Sequence, residues 1–217
     1  MGTEQPTVFV IDDDASMRRS LKRLLRLSGY AVEEFASAVD FLQREKPSGT
    51  GCVILDVRMP RMTGTALFDR MTEFGYSLPV IFLTGHADVP TSVHAMKDGA
   101  VDFLLKPVDA EQLLPAIQDA IRRHSQRQAH EKSSAAIHER LATLSRRERE
   151  VMDHVVRGDP NKRIAADLGI SEKTVKVHRH RVMEKMQAGS LAELVRLADA
   201  ASRRAAEDGP HASRERA

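Results

Sequence analysis

Apolar residues in the first half of the chain come in short continuous runs, and helical-period stripes follow them in alternation. Thr7, Val8, Phe9, Val10 and Ile11 form a β-branched run that stops at Asp12, Asp13 and Asp14. Behind it Met17, Leu21, Leu24 and Leu25 recur at helical spacing, with Arg18, Arg19, Lys22, Arg23 and Arg26 on the other side and Gly29 as the stop. The same reading gives a strand over 30–34, a serine-capped helix over 37–45, and a loop over 47–51. The run from Cys52 to Pro60 follows, an apolar strand that delivers Asp56 to its carboxyl end. A helix over 65–74, a strand over 79–83, a helix over 90–98, a strand over 101–105 and a helix over 109–124 complete the half. Continuous apolar runs suit strands covered on both faces, and right-handed crossovers place helices on both sides. A five-stranded, doubly wound parallel sheet is expected over 1–124.

The second half has a different pattern. Residues 125–140 are polar, with Ile137 the one large apolar side chain and no glycine or proline, which predicts a largely helical linker. Four helices are then expected over 141–206. Ser145 and Glu148 form a Ser-x-x-Glu capping box before Val151, Met152, Val155 and Val156, with Gly158 as the stop. A short helix over 164–168 ends at Gly169, Ser171 caps a longer one to about Met186, and Ser190 with Glu193 forms a second capping box opening 191–206. Short helix, glycine turn and longer helix is the helix-turn-helix pattern. Residues 207–217 are polar and expected to be disordered.

Charge sharpens this division. Residues 1–124 carry 14 Lys/Arg against 17 Asp/Glu, net −3, whereas 141–206 carry 14 against 9, net +5. An acidic half suits cation chemistry and a basic half a polyanion. The single cysteine, Cys52, lies in an apolar strand, which excludes an internal disulfide or thiolate cluster and suits a reducing compartment. No stretch approaches the ~18 apolar residues of a membrane span, so a cytoplasmic protein without membrane contact is expected.

In a parallel sheet Asp12, Asp13, Asp56, Thr84 and Lys106 all fall at strand carboxyl ends, on one edge, where ligands bind. Three carboxylates there repel unless a cation relieves them, and hard oxygen donors suit Mg²⁺. A divalent ion beside a carboxylate lets that carboxylate attack a phosphoryl group, while Lys106 and the Thr84 hydroxyl can meet phosphoryl oxygens. Each alone has a plainer explanation: acidic turns cap helices, threonines end strands, and lysines are solvated. In the second half Val175, Val182 and Met186 share one face of the longer helix, and Lys173, Lys176, Val177 and His180 share the opposite one. A helical bundle with a solvated basic face remains an alternative to DNA binding, and a protein-binding scaffold remains another. Without aromatic residues this half does not suit single-strand stacking. An aspartyl-phosphate hydrolase fares poorly, because Arg58 holds the place of its general acid, and no glycine-rich nucleotide loop follows a strand.

Val10 to Asp14, Leu55 to Pro60, Thr84 to Asp88 and Lys106–Pro107 resemble the signature positions of two-component receiver domains. Leu144 to Val151, Asn161 to Ala165 and Ser171 to His178 are similar to the LuxR-type DNA-binding domain, and the order of the two resembles FixJ/NarL regulators, the FixJ branch most. The resemblance implies a CheY/flavodoxin-like receiver and a phosphorylated, DNA-binding transcription regulator rather than an enzyme, although the receiver assists its own Mg²⁺-dependent phosphorylation and dephosphorylation. It makes Asp56 the phosphoacceptor. It assigns the metal to Asp12, Asp13, Asp56 and the backbone carbonyl of Arg58, the phosphoryl group to Lys106 and Thr84, and the switch aromatic to Phe103. Lys106–Pro107 matches a bond that is usually cis in the family. Base contacts fall to Lys176, Val177 and His180. Lys162, Lys173, Thr174, His178, Arg181 and Lys185 are candidates for phosphates, with Ser171 at the head of the same helix. Implied partners are a sensor histidine kinase, promoter duplex, RNA polymerase and a second copy of the phosphorylated chain, through Val93 and Lys97.

Overall fold

The computed structural model describes residues 5–47, 49–85 and 100–207, the last five in backbone only. The expected helix over 90–98, with Val93 and Lys97, the motif stretch 86–90 and most of the tail lie outside the described residues. The chain forms two compact units, residues 1–128 and 129–217.

In the first unit β1 (Thr7–Ile11), β2 (Ala31–Phe35), β3 (Gly51–Asp56), β4 (Val80–Thr84) and β5 (Asp102–Leu105) form one parallel sheet in the order β2-β1-β3-β4-β5. The period of two sorts each strand between two cores. Phe9, Ile11, Val53, Leu55, Val80 and Phe82 pack on one face with Phe41 of α2 (Ala38–Gln43) and Leu67 and Met71 of α3 (Gly64–Glu73). Val8, Val10, Cys52, Ile54, Ile81 and Leu83 pack on the other with Leu21 and Leu25 of α1 (Ala15–Leu27) and Leu113 and Ile117 of α4 (Ala110–Ala142). All six residues of β3 are buried, as a central strand requires. Burial pushes the Cys52 thiol up to about 12, so it is a packing group and not a nucleophile.

No helix boundary falls near residue 124. α4 runs on through 125–140 as one element, because that stretch contains neither glycine nor proline. Ile137 is buried in the second core, so the later part of the stretch read as a linker contributes packing to the second unit.

That unit holds α5 (Arg146–Val156), α6 (Asn161–Leu168), α7 (Glu172–Met186) and α8 (Leu191–Glu207) around Val151, Val155, Ile164, Val175, Val182, Met186 and Leu194. The first capping box forms as expected, with Glu148 N bonded to Ser145 Oγ and Ser145 N to Glu148 Oε2. The second is corrected. Ser190 Oγ accepts from Glu193 N, but the Glu193 carboxylate takes the N–H of Gly189, not Ser190, so the reciprocal arm reaches one residue further back. α6 begins at Asn161, three residues before the expected start, and its C-cap Gly169 is left-handed with φ 65°. No helix among the described residues is long and apolar enough to cross a membrane.

Candidate functional site

The strand order reverses between β1 and β3, since the chain leaves β1 for β2 on one side and returns to β3 on the other. Outside such a switch point the strand ends open a crevice. Asp12 follows β1 and Asp56 closes β3, and carboxylate oxygens of Asp12, Asp13 and Asp56 lie within 4.8 Å of one another. Asp12 and Asp56 are 2% and 6% exposed, while Asp13 faces solvent. Thr84 closes β4 buried, and its carbonyl accepts from Lys106 N at 2.7 Å. The Lys106–Pro107 bond is cis. The sequence placed these five residues on one edge, and the fold brings four of them, Asp12, Asp13, Asp56 and Lys106, into one cluster.

Lys106 Nζ lies 2.6 Å from Asp12 Oδ2 and 2.8 Å from Asp56 Oδ1. Burial raises the Asp56 pKa above the usual carboxylate range; Lys106 opposes this, while Asp12 and Asp13 add to it. Burial works against the charge on Lys106, yet its bonds to Asp12 and Asp56 outweigh burial and raise its pKa. The rise at Lys106 reflects two carboxylates around one ammonium, whereas the rise at Asp56 reflects burial first and the neighbouring carboxylates second. The donor set, three hard carboxylates with a lysine ammonium among them, fits a divalent cation.

Phe103, the expected switch aromatic, is half-buried on β5, its ring 6.0 Å from that of Phe82. Arg58 is exposed just beyond β3. Sequence reasoning missed Gly64, where a Cβ would stand 2.2 Å from the Asp56 carbonyl oxygen. Only glycine lets α3 start that close to the acidic strand end. Its signal was a glycine four residues after Pro60.

In the second unit three sets of bonds fix α6 and α7 and the turn between them. Arg179 Nη1 donates to Asn161 Oδ1 at 3.0 Å, the Arg147 guanidinium donates to the Leu168 carbonyl, and Ser171 Oγ accepts from Thr174 N at 3.1 Å. Val175, Val182 and Met186 of α7 are buried, whereas Lys173, Lys176, His180 and Arg181 are exposed and Val177 is 44% exposed. Lys162 is exposed near the start of α6. Thr174 and His178 are half-buried, and His178 Nδ1 is enclosed without a hydrogen-bond partner. Lys185, expected to contact phosphate, is exposed and also paired within its own unit. Its ammonium is held 2.6 Å from Glu148 Oε2 and 3.0 Å from the Thr143 carbonyl. The Lys185 bond, with the Ser145 N–H beside it, holds the Glu148 carboxyl down at about 2.

Residues 8–118 match the response regulator receiver domain, and residues 142–198 match the bacterial regulatory proteins of the luxR family. The chain is 45% identical to Nodulation protein W of Bradyrhizobium diazoefficiens, covering 88% of this chain and 85% of that one. It is 46% identical to the transcriptional regulatory protein FixJ of Azorhizobium caulinodans, covering 90% and 92%. The solved structure of response regulator StyR is 42% identical with a TM-score of 0.85, covering 90% of this chain and 99% of that one. Full-length FixJ from B. japonicum is 44% identical with a TM-score of 0.56, covering 93% and 99%. A switch-point acidic cluster on one unit and a helix-turn-helix on the other define a response regulator with a DNA-binding output. The chain belongs to the FixJ-like, LuxR-type family of two-component transcription regulators.

Proposed function

We propose that Asp56 accepts a phosphoryl group from the phosphohistidine of a sensor histidine kinase, and that this phosphorylation drives promoter binding by the second unit. The observation that carries the reading is the buried Asp56 carboxylate, 2.8 Å from the Lys106 ammonium at the switch point. An Asp56 oxygen attacks phosphorus as the phosphorus–nitrogen bond breaks and its electron pair returns to the donor imidazole. Lys106 then pairs with one phosphoryl oxygen, and the Thr84 hydroxyl donates to another. Mg²⁺, held by Asp12, Asp13, Asp56 and the Arg58 carbonyl, supplies compensation for the charge that gathers on those oxygens.

Drawing Thr84 toward the phosphoryl group alters packing around Phe103, and two copies then join through Val93 and Lys97. Lys176, Val177 and His180 read base edges. Lys162, Lys173, Thr174, His178 and Arg181 meet phosphates, and Ser171 fixes the head of the helix. Lys185 stays with Glu148. The DNA-bound dimer works with RNA polymerase, in the cytoplasm, and the regions 1–124, 125–140, 141–206 and 207–217 act as receiver, connector, reader and tail.

Labelling with a small acyl phosphate tests the reading. Wild type incorporates phosphate only with Mg²⁺, Asp56→Asn incorporates none, and Asp13→Ala loses most of the incorporation. Asp56→Asn labelled to the wild-type extent would overturn the assignment.

A further inference from the structure

We propose that Arg18 is a positioning residue for the divalent-cation pocket, gripping the Asp12–Asp13 turn from behind so that the pocket is shaped before the ion binds. The proposal rests on the reading of Asp12, Asp13 and Asp56 as that pocket. Arg18 stands in the first turn of α1, and side chains on a helix tilt toward its N-terminus. Its Nη1 donates to the backbone oxygen of Asp12 at 2.7 Å and to that of Asp13 at 2.9 Å.

The three aspartates of this turn are held differently. Asp12 is tied through its carboxylate, which accepts from Asp14 N at 2.9 Å and from Lys106 at 2.6 Å. Asp14 is tied as the N-cap of α1, its Oδ1 accepting from Ser16 N at 2.7 Å. The Asp13 carboxylate is exposed and makes no hydrogen bond or ion pair among the described residues. Its place is set through its backbone, and Arg18 holds that carbonyl. The guanidinium leaves the Asp13 carboxylate to a cation by bonding carbonyls instead. The Asp14 cap already supplies negative charge at the start of α1, and the Arg18 guanidinium directs its two bonds to the acidic turn that precedes the helix.

Two effects of opposite sign make the test decisive. Removing a positive charge near the pocket would by itself tighten binding of a divalent cation, whereas loosening the turn weakens it. The probe is Mn²⁺ alone, titrated into the full chain and followed by the electron paramagnetic resonance of the free ion. Arg18→Met is expected to raise the Kd about tenfold, and Arg18→Lys, which keeps a donor on the same stem, to fall between. Asp14→Ala, which removes the helix cap but not the grip on the carbonyls, is expected to lower thermal stability more than it raises the Kd. An unchanged or lower Kd in Arg18→Met overturns the proposal. Should that variant fail to fold, Arg18→Gln carries the same expectation and the same refutation. Asp13→Ala separates the two readings. If it binds Mn²⁺ as wild type does, the pocket is misassigned; if it loses the ion while Arg18→Met keeps it, only the role of Arg18 fails.

Discussion

Asp12 and Asp56 are almost wholly buried, whereas Lys162, Lys173, Lys176 and Arg181 stand in solvent. The first unit crowds like charges into a crevice, where Lys106 bridges Asp12 and Asp56. The second unit spreads its cations over an exposed helix face, where water screens them; on the proposed reading they displace counterions condensed on a polyanion. Among the described residues of that unit the buried carboxylate is Glu148, and it is placed to hold the helices together. On the proposed reading, charge acts where it is crowded in one unit and where it is exposed in the other.

The sharpest way to break the first half of this comparison is steric. Gly64→Ala forces a Cβ against the Asp56 carbonyl, and backbone must move. The expected loss is about 3 kcal/mol, the upper end of the overpacking range, together with slower phosphorylation. Calorimetry of the full chain and acyl-phosphate labelling measure both, and unchanged values would show that α3 does not constrain the acidic strand end.

The second half breaks through Glu148. Its folded-state pKa of about 2 lies below the ordinary glutamate value of 4.5. Its contribution is therefore complete above pH 4.5 and is lost as pH falls toward 2, in total roughly 2–3 kcal/mol. Glu148→Ala should remove a similar amount at neutral pH and flatten the acid limb of the second unit's unfolding, read by circular dichroism. An acid limb as steep as that of wild type would show that Glu148 does not set it.

How far the chain could be read before folding follows from the range of the interactions. The βα alternation among the described residues, Asp56 at its strand end and the Ser145–Glu148 box are local patterns and survive into the structure. The Lys185–Glu148 pair joins residues 37 apart, and nothing local distinguishes a lysine paired with a distant carboxylate from one left unpaired in solvent. Gly64 fell just outside the expected helix over 65–74, and its close neighbour is the Asp56 carbonyl at the end of β3, which the helical pattern does not show. Glu193 reached Gly189 because a side chain can satisfy either of two adjacent donors. The continuation of α4 past residue 124 was foreshadowed only by the absence of breakers.

The mildest expected effects lie on the exposed face, and they divide positioning from reading. Lys176 is exposed mid-face on α7, opposite the buried Val175 and Val182, where it can donate to guanine acceptors. Lys176→Ala should cost roughly 1–3 kcal/mol on the specific duplex and relax preference at one base position per half-site. Lys162, near the start of α6, should touch phosphate alone. Lys162→Ala should weaken specific and scrambled duplexes about equally and lower the salt slope by about one ion per subunit. Lys185→Ala, by contrast, should leave that slope unchanged while lowering stability, since its charge is already committed to Glu148. Titrations of both duplexes at several salt concentrations distinguish the three. If Lys176→Ala reduced affinity for both duplexes by one factor, or Lys185→Ala changed the slope as Lys162→Ala does, the face of α7 presented to the groove would differ from the one its buried residues define.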